Sequence, residues 1–315
     1  MRFAPSISEQ ALPEVDAPVR LQEPALGKLV LGTVQWGMNY GIAGRGQPGP
    51  SEVSDILATA RRAGITVLDT AHAYGSAEEV IGAQTTAGLQ IVTKTLPVRA
   101  PRIESSDIAA VEAALEDSFA RLRQTSVYAV LVHDAGNLLA PGADNLWKLL
   151  ERYRDAGRIE RIGVSVYDPA QCRAIGAAFP LDIVQLPFNI YDQRFRESGV
   201  LSELKARAVE VHTRSAFLQG LLLMPPAGLP GHFDGIRGHH ALLHDWFQAH
   251  GMSALAGCLR FCLQETHIDR VVVGCETAAQ LGEILDAAAT PAPSMLQIPF
   301  ALTDPNIIEP SRWPK

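Results

Sequence analysis

Short apolar runs alternating with longer helical stretches leave a chain few ways to fold, and this sequence repeats that alternation from residue 28 to residue 286. Runs at 29–33, 66–68, 89–94, 128–132, 161–166, 183–186, 209–213 and 270–273 are apolar, β-branched segments of strand length. Helical stretches separate them, at about 51–63, 78–84, 106–124, 144–156, 168–177, 197–206, 241–250, 253–265 and 277–286. Local signals support the boundaries: Ser51 is an N-cap candidate, Glu52 and Asp55 suit a first turn, and Pro169 opens its helix. Crossovers of this length rule out hairpins and require parallel neighbours. Strands that are continuously apolar imply a sheet covered on both faces. Eight such units predict one α/β domain, a (β/α)8 TIM barrel spanning 28–290. Residues 1–27 then form a Pro-rich arm or cap, and 291–315 a C-terminal tail. A doubly wound open sheet is the competing arrangement. Such sheets place Gly-x-Gly-x-x-Gly after the first strand, and Gly32-Thr33-Val34-Gln35-Trp36-Gly37 does not fit.

Composition narrows the function classes. Of 315 residues, 47% are hydrophobic and 19% charged, enough apolar material for a large core. A net charge of -7 without a basic cluster argues against a nucleic-acid or anionic-membrane partner. The stretch 1–20 carries Pro5, Pro13 and Pro18 and no long apolar run, so neither a signal peptide nor a membrane span is expected, and the cytoplasm is the expected compartment. Cys172, Cys258, Cys262 and Cys275 are too scattered for a disulfide framework. Cys258 with Cys262 and His240 with His244 have the spacing of metal-ligand pairs but no third ligand, so no metal is expected. The partner is a small molecule, and the chain a monomer or small homo-oligomer. A loop around 224–232, rich in Pro and Gly, is expected on the surface near the ligand face.

Four polar residues stand at or just past strand ends: Asp69 after the second strand, Tyr74 in the loop beyond it, Lys94 ending the third, and His133 following the fourth. In a barrel these ends converge on one face, where a ligand sits. Each residue alone has a plain structural explanation. Together they compose an acid. A tyrosine keeps its proton at neutral pH and can hand it to an oxygen becoming an alkoxide. A lysine beside it eases release, an aspartate orients the lysine, and a neutral histidine donates a hydrogen bond to a carbonyl. Protonating a carbonyl oxygen is half of a reduction, and the hydride must come from a cofactor.

Here the sequence resembles the aldo-keto reductase family. Leu31-Gly32-Thr33 is similar to its first-strand motif, and Asp69-Thr70-Ala71-His72-Ala73-Tyr74-Gly75 to its Asp-x4-Tyr-Gly signature. Lys94 and His133 match the other two members of the tetrad. The resemblance implies a barrel oxidoreductase that uses NADP or NAD to reduce an aldehyde or ketone, with Tyr74 as proton donor and Gly32 and Thr33 near the cofactor. It also implies that Ser165 and Gln185 hold the nicotinamide carboxamide and that Arg214-Ser215 stand where many members stack an aromatic on the ring. Arg214 departs from that pattern, and Val166 replaces a common Asn. The segment Gly274-Cys275-Glu276-Thr277-Ala278-Ala279-Gln280 is similar to the one that binds the 2′-phosphate of NADP. It brings Glu276 and Gln280 where strongly NADP-preferring members bring Lys or Arg, so weak discrimination or a preference for NADH is expected. Two other classes remain: a lyase or isomerase using Lys94 as a Schiff-base amine, and a nucleotide-binding barrel without activity.

Overall fold

The computed structural model describes residues 23–42, 44, 46–295 and 298–314. The arm expected over 1–27 therefore lies almost wholly outside the described residues. Eight parallel strands close into a barrel: β1 (Leu29–Gly32), β2 (Val67–Asp69), β3 (Gln90–Lys94), β4 (Val127–Val132), β5 (Ile159–Ser165), β6 (Ile183–Pro187), β7 (Glu210–Arg214) and β8 (Arg270–Gly274). The ring is completed by β1 pairing with β8, from Leu29 opposite Val271 to Gly32 opposite Gly274.

Strand alternation sorts side chains into two cores. Val30, Val67, Val92, Ala129, Leu131 and Ile183 fill the barrel interior. Their neighbours Leu29, Leu31, Leu68, Val130 and Val132 point outward under the helices and are equally buried. Both faces are dry, which is why these strands are continuously apolar.

Some helix starts differ from the expected ones. The first long helix spans Pro50–Arg62, with Pro50 in its first turn and Gly49 rather than Ser51 as cap. Pro50 needs no N–H at that position. The helix Ser105–Leu122 is opened by a carboxylate pair: Glu104 caps it, and the Glu104 amide donates to Asp107 Oδ2 at 2.9 Å. Asp168 caps the helix Pro169–Ala178, accepting from the amides of Ala170 and Gln171 at 2.8 and 3.0 Å.

Two regions are more firmly built than the sequence indicates. The loop at 224–232 is pinned: His240 Nε2 lies 2.8 Å from the Met224 carbonyl and His244 Nε2 3.2 Å from that of Leu222. The histidine pair thus fastens a loop. The C-terminal segment is no free tail, because Phe300, Ile307 and Ile308 are buried and Arg194 Nη1 meets Glu309 Oε1 at 3.0 Å. Among the described residues, no helix is long and apolar enough to cross a membrane.

The opposite mouth of the barrel, at the strands' N-terminal ends, is closed by a polar plug. Glu210 accepts from the Tyr128 hydroxyl at 2.5 Å and from His212 Nε2 at 2.8 Å, and Arg161 Nε lies 3.4 Å away. Burial alone would raise the Glu210 pKa, but the hydrogen bonds from His212 and Tyr128, with the charges of His212 and Arg161, outweigh it and hold the group at about 2. A carboxyl held below its unfolded value stabilises the fold above that value, and the contribution disappears as pH falls toward the folded pKa. We expect wild-type stability in urea to drop more steeply than that of Glu210→Gln between about pH 5 and pH 3, by at most about 3 kcal/mol. Parallel curves for the two proteins would contradict this.

Candidate active site

The ends of β2 and β3 place two opposite charges inside the barrel. Lys94 Nζ, 1% exposed, donates to Asp69 Oδ1 at 2.8 Å and to the Thr70 carbonyl at 2.9 Å. From β6, Gln185 Nε2 donates to Asp69 Oδ2 at 2.7 Å. Both carboxylate oxygens thus accept, and the buried lysine donates to two acceptors. Because a carboxylate only accepts, the Gln185 amide is fixed with its oxygen turned away from Asp69. That oxygen is buried and has no partner among the described residues.

Tyr74 is set over this pair by a contact between two loops. Gly75 has φ +57, and a Cβ there would lie 2.2 Å from the Gly37 carbonyl oxygen. A Cβ on Gly37 would lie 1.9 Å from the Tyr74 carbonyl oxygen. Only paired glycines let the first and second loops approach so closely. The Tyr74 ring then stands with Lys94 Nζ 4.9 Å from its centroid and the His133 ring edge-on at 5.8 Å. All four tetrad residues are therefore brought together.

Their protonation follows from burial and charge. Burial raises the Tyr74 pKa and the Lys94 charge offsets only part of that, so the phenol keeps its proton at neutral pH. Burial opposes the Lys94 charge, but Asp69 and Tyr74 outweigh it and the ammonium persists. His133 is lowered to about 4, first by burial and then by Lys94, and is neutral at pH 7.

Beside Tyr74 lies a cavity of about 330 Å³. Gly32, Thr33, Asp69, Tyr74, Gln185, Arg214 and Ser215 line it, together with Gly274 of β8 and Glu276 and Gln280 beyond that strand. Ser165 is buried one strand over, in register with Gln185, and is not in the wall. Nor is Thr277, which caps the helix Ala278–Ala289 by accepting from the Gln280 amide at 3.1 Å. Arg214 is stacked 3.9 Å from the centroid of the Tyr167 ring and donates to the Val166 carbonyl at 3.1 Å. After β7 the chain takes left-handed backbone at Ser215, Leu218 and Gln219, a concentration of strain at the cavity rim. Among the nearby aromatics, Phe217 lines the cavity, whereas Trp36 donates to the Cys275 carbonyl at 3.4 Å and Phe188 stacks on Phe261 in the core.

Sequence reasoning overlooked Tyr40, whose phenol lines the cavity and is raised to about 12 mainly by burial. An aromatic within the Gly-rich first loop was its only signal. Glu52 was read as serving its own helix. Its Oε1 instead accepts from the Ala278 amide at 2.6 Å, across the barrel seam.

Fold and site together define a (β/α)8 barrel with a proton-bearing tyrosine over a buried ion pair at the strand exits. A model of the aldo/keto reductase family matches residues 28–295, and the chain belongs to that family. Aldo-keto reductase YhdN of Bacillus subtilis is 27% identical over 218 residues, covering 66% of this chain and 62% of that relative. An aldo-keto reductase of Bacillus halodurans in its holo form matches with a TM-score of 0.67 at 19% identity, over 84% of this chain and 88% of that one. The glycerol dehydrogenase of Gluconobacter oxydans matches with a TM-score of 0.64 at 22% identity, over 82% and 86%. At such identities the two structures are alike in fold.

The buried pair generates a stability expectation. Asp69→Asn leaves the Lys94 charge without its counterion and should cost about 3–5 kcal/mol in denaturant unfolding. The double variant Asp69→Asn/Lys94→Met should recover part of that loss. Additive effects in this cycle would show that the two groups do not act as a pair.

Proposed function

We propose that this chain reduces an aldehyde or ketone to an alcohol with a nicotinamide dinucleotide, NADH or NADPH, and that Tyr74 donates the proton. The observation that carries the reading is the Tyr74 phenol in the cavity wall with the buried Lys94 Nζ, paired with Asp69, 4.9 Å from its ring centroid. When Tyr74 gives its proton to the carbonyl oxygen, a phenolate forms next to that ammonium, whose attraction is strong in a dry site. Asp69 and the Thr70 carbonyl keep the ammonium in place. Neutral His133 carries one ring N–H with which to hold the substrate oxygen before transfer. The cofactor supplies the hydride when bound. Gln185, in the cavity wall with its amide nitrogen held by Asp69, is the residue offered to the cofactor's carboxamide.

The Schiff-base alternative is disfavoured by the same geometry. A nucleophilic amine must be neutral and reachable, whereas Lys94 is buried, charged and hydrogen-bonded twice.

Tyr74→Phe should lower turnover on a panel of aldehydes by roughly 10² to 10⁴, followed by loss of reduced-nicotinamide absorbance, while cofactor affinity stays near wild type. Retention of more than about half the turnover would remove Tyr74 from this role. Lys94→Met should lower turnover at neutral pH and change the pH profile. An unaltered rate and profile would leave Lys94 a structural residue. His133→Ala should raise KM for the carbonyl and lower kcat. Selective loss of cofactor binding would contradict its assignment.

A further inference from the structure

Where the chain enters β8, at the end of the barrel opposite Tyr74, a serine, a histidine and a glutamate stand in line. Ser202 Oγ lies 3.2 Å from His267 Nε2, and His267 Nδ1 lies 2.6 Å from Glu265 Oε1. The same carboxylate oxygen accepts from the His267 amide at 3.1 Å. With Glu265 as acceptor the ring hydrogen sits on Nδ1. In the neutral ring Nε2 is then the nitrogen that accepts from the serine hydroxyl.

Two separate parts of the fold hold this line. Glu265 and His267 belong to one turn after the helix Ala254–Gln264, closed by the Ile268 amide donating to the Glu265 carbonyl at 3.3 Å, with Ile268 buried. The Glu265 side chain is only 5% exposed, and Lys28 Nζ donates to its backbone carbonyl at 3.2 Å. Ser202 comes from the helix Val200–Ala206, whose Val200, Leu201 and Leu204 are buried. One helical turn beyond Ser202, Lys205 Nζ meets Asp269 Oδ1 and Oδ2 at 2.7 and 2.9 Å, and Asp269 Oδ2 also accepts from the Val211 amide at 2.8 Å. That pair staples the helix to the chain two residues past His267 and keeps the serine beside the imidazole. Stability does not require the alignment, because Ser202 is exposed and the His267 side chain 39% exposed, so water could serve both.

We propose that Ser202 is an activated nucleophile and that this triad hydrolyses small activated esters, an activity separate from carbonyl reduction. A base oriented by a carboxylate is what lets a serine hydroxyl attack a carbonyl, and such a constellation is defined by geometry and role rather than by position in the chain. Ser202 Oγ bonds to the acyl carbon as its proton passes to His267 Nε2. The ester C–O bond then breaks, and the departing alcohol or phenol takes that proton. Water adds to the acyl-serine and gives a proton to His267, which returns it to Ser202 Oγ as the acid leaves. Glu265 is a positioning residue: it fixes the tautomer and sets a negative charge opposite the imidazolium. Because Ser202 is exposed on its helix, the fitting substrate is a short acyl group on a good leaving group, such as an aryl acetate, rather than a long chain that needs a pocket.

A fluorophosphonate probe transfers its phosphonyl group to an activated serine with loss of fluoride, and it tests the site on the full chain without cofactor. Wild type should carry the label on Ser202, located by peptide mass spectrometry, and should release p-nitrophenol from p-nitrophenyl acetate. Ser202→Ala should lose the label. His267→Gln should slow labelling and ester cleavage roughly 10²-fold or more. Glu265→Gln keeps an oxygen for Nδ1 but not the charge. Labelling should slow and its dependence on pH move to lower values, because an imidazolium without its counter-charge gives up its proton sooner. Aldehyde reduction should be unchanged in Ser202→Ala and His267→Gln, as a check that the barrel is intact. Absence of label on wild-type Ser202, equal labelling of Ser202→Ala, a rate unmoved by His267→Gln or a pH dependence unmoved by Glu265→Gln overturns the proposal and leaves the reductase reading standing.

Discussion

The contact between Lys94 and Asp69 governs what can be built around it. Taking two charges out of water costs several kcal/mol per ion unless their remaining hydrogen-bonding capacity is met. The barrel meets it from three strands, with the Thr70 carbonyl following β2, Lys94 ending β3 and Gln185 on β6. With the strands in chain order, closure of the ring is what brings the ends of β2 and β6 within reach of one carboxylate. The pair also sets the character of the pocket above it. Its cation acts on Tyr74 and lowers His133, and its second carboxylate oxygen fixes the Gln185 amide.

Much of this was legible in the sequence, for a physical reason. Barrel strands are buried on both faces, so eight apolar runs could be counted from residues alone, and a polar residue interrupting such a run marks an exit from the core. Asp69, Lys94 and His133 were visible on that ground, and Tyr74 through its spacing from Asp69. What escaped depends on contacts between distant parts of the chain. Glu52 touches Ala278 across 226 positions, and each residue has an ordinary local explanation in its own helix. The mutual approach of Gly37 and Gly75 is equally silent, since each glycine alone reads as a loop residue. The C-terminal segment resembled a tail because its apolar residues are interrupted by prolines and follow no strand or helix period, yet Phe300, Ile307 and Ile308 are buried.

The helix caps carry a related lesson. Ser51 had the right chemistry for a cap, but Pro50 moves the start of the helix upstream and leaves Gly49 there. Glu104 reaches the same end with a side chain less favoured at that position, made effective by Asp107 three residues on. Glu52 shows the same chemistry working between helices, where a carboxylate satisfies an amide of another element.

The joint between β1 and β8 has a bearing on how the protein matures. Gly32 lies on one side of the joint and Gly274 on the other, and both are in the cavity wall. Roughly 240 residues of synthesis separate them, on the order of ten to fifty seconds at ribosomal rates. The earlier wall must therefore wait, with β1 an unpaired edge on one side, until the last strand arrives. No chain that ends before β8 contains the whole pocket wall. A ligand that bridges the joint favours only the finished ring, and by mass action it resists reopening of that joint in particular. Occupancy of the cavity is in this sense a mark of a completed molecule.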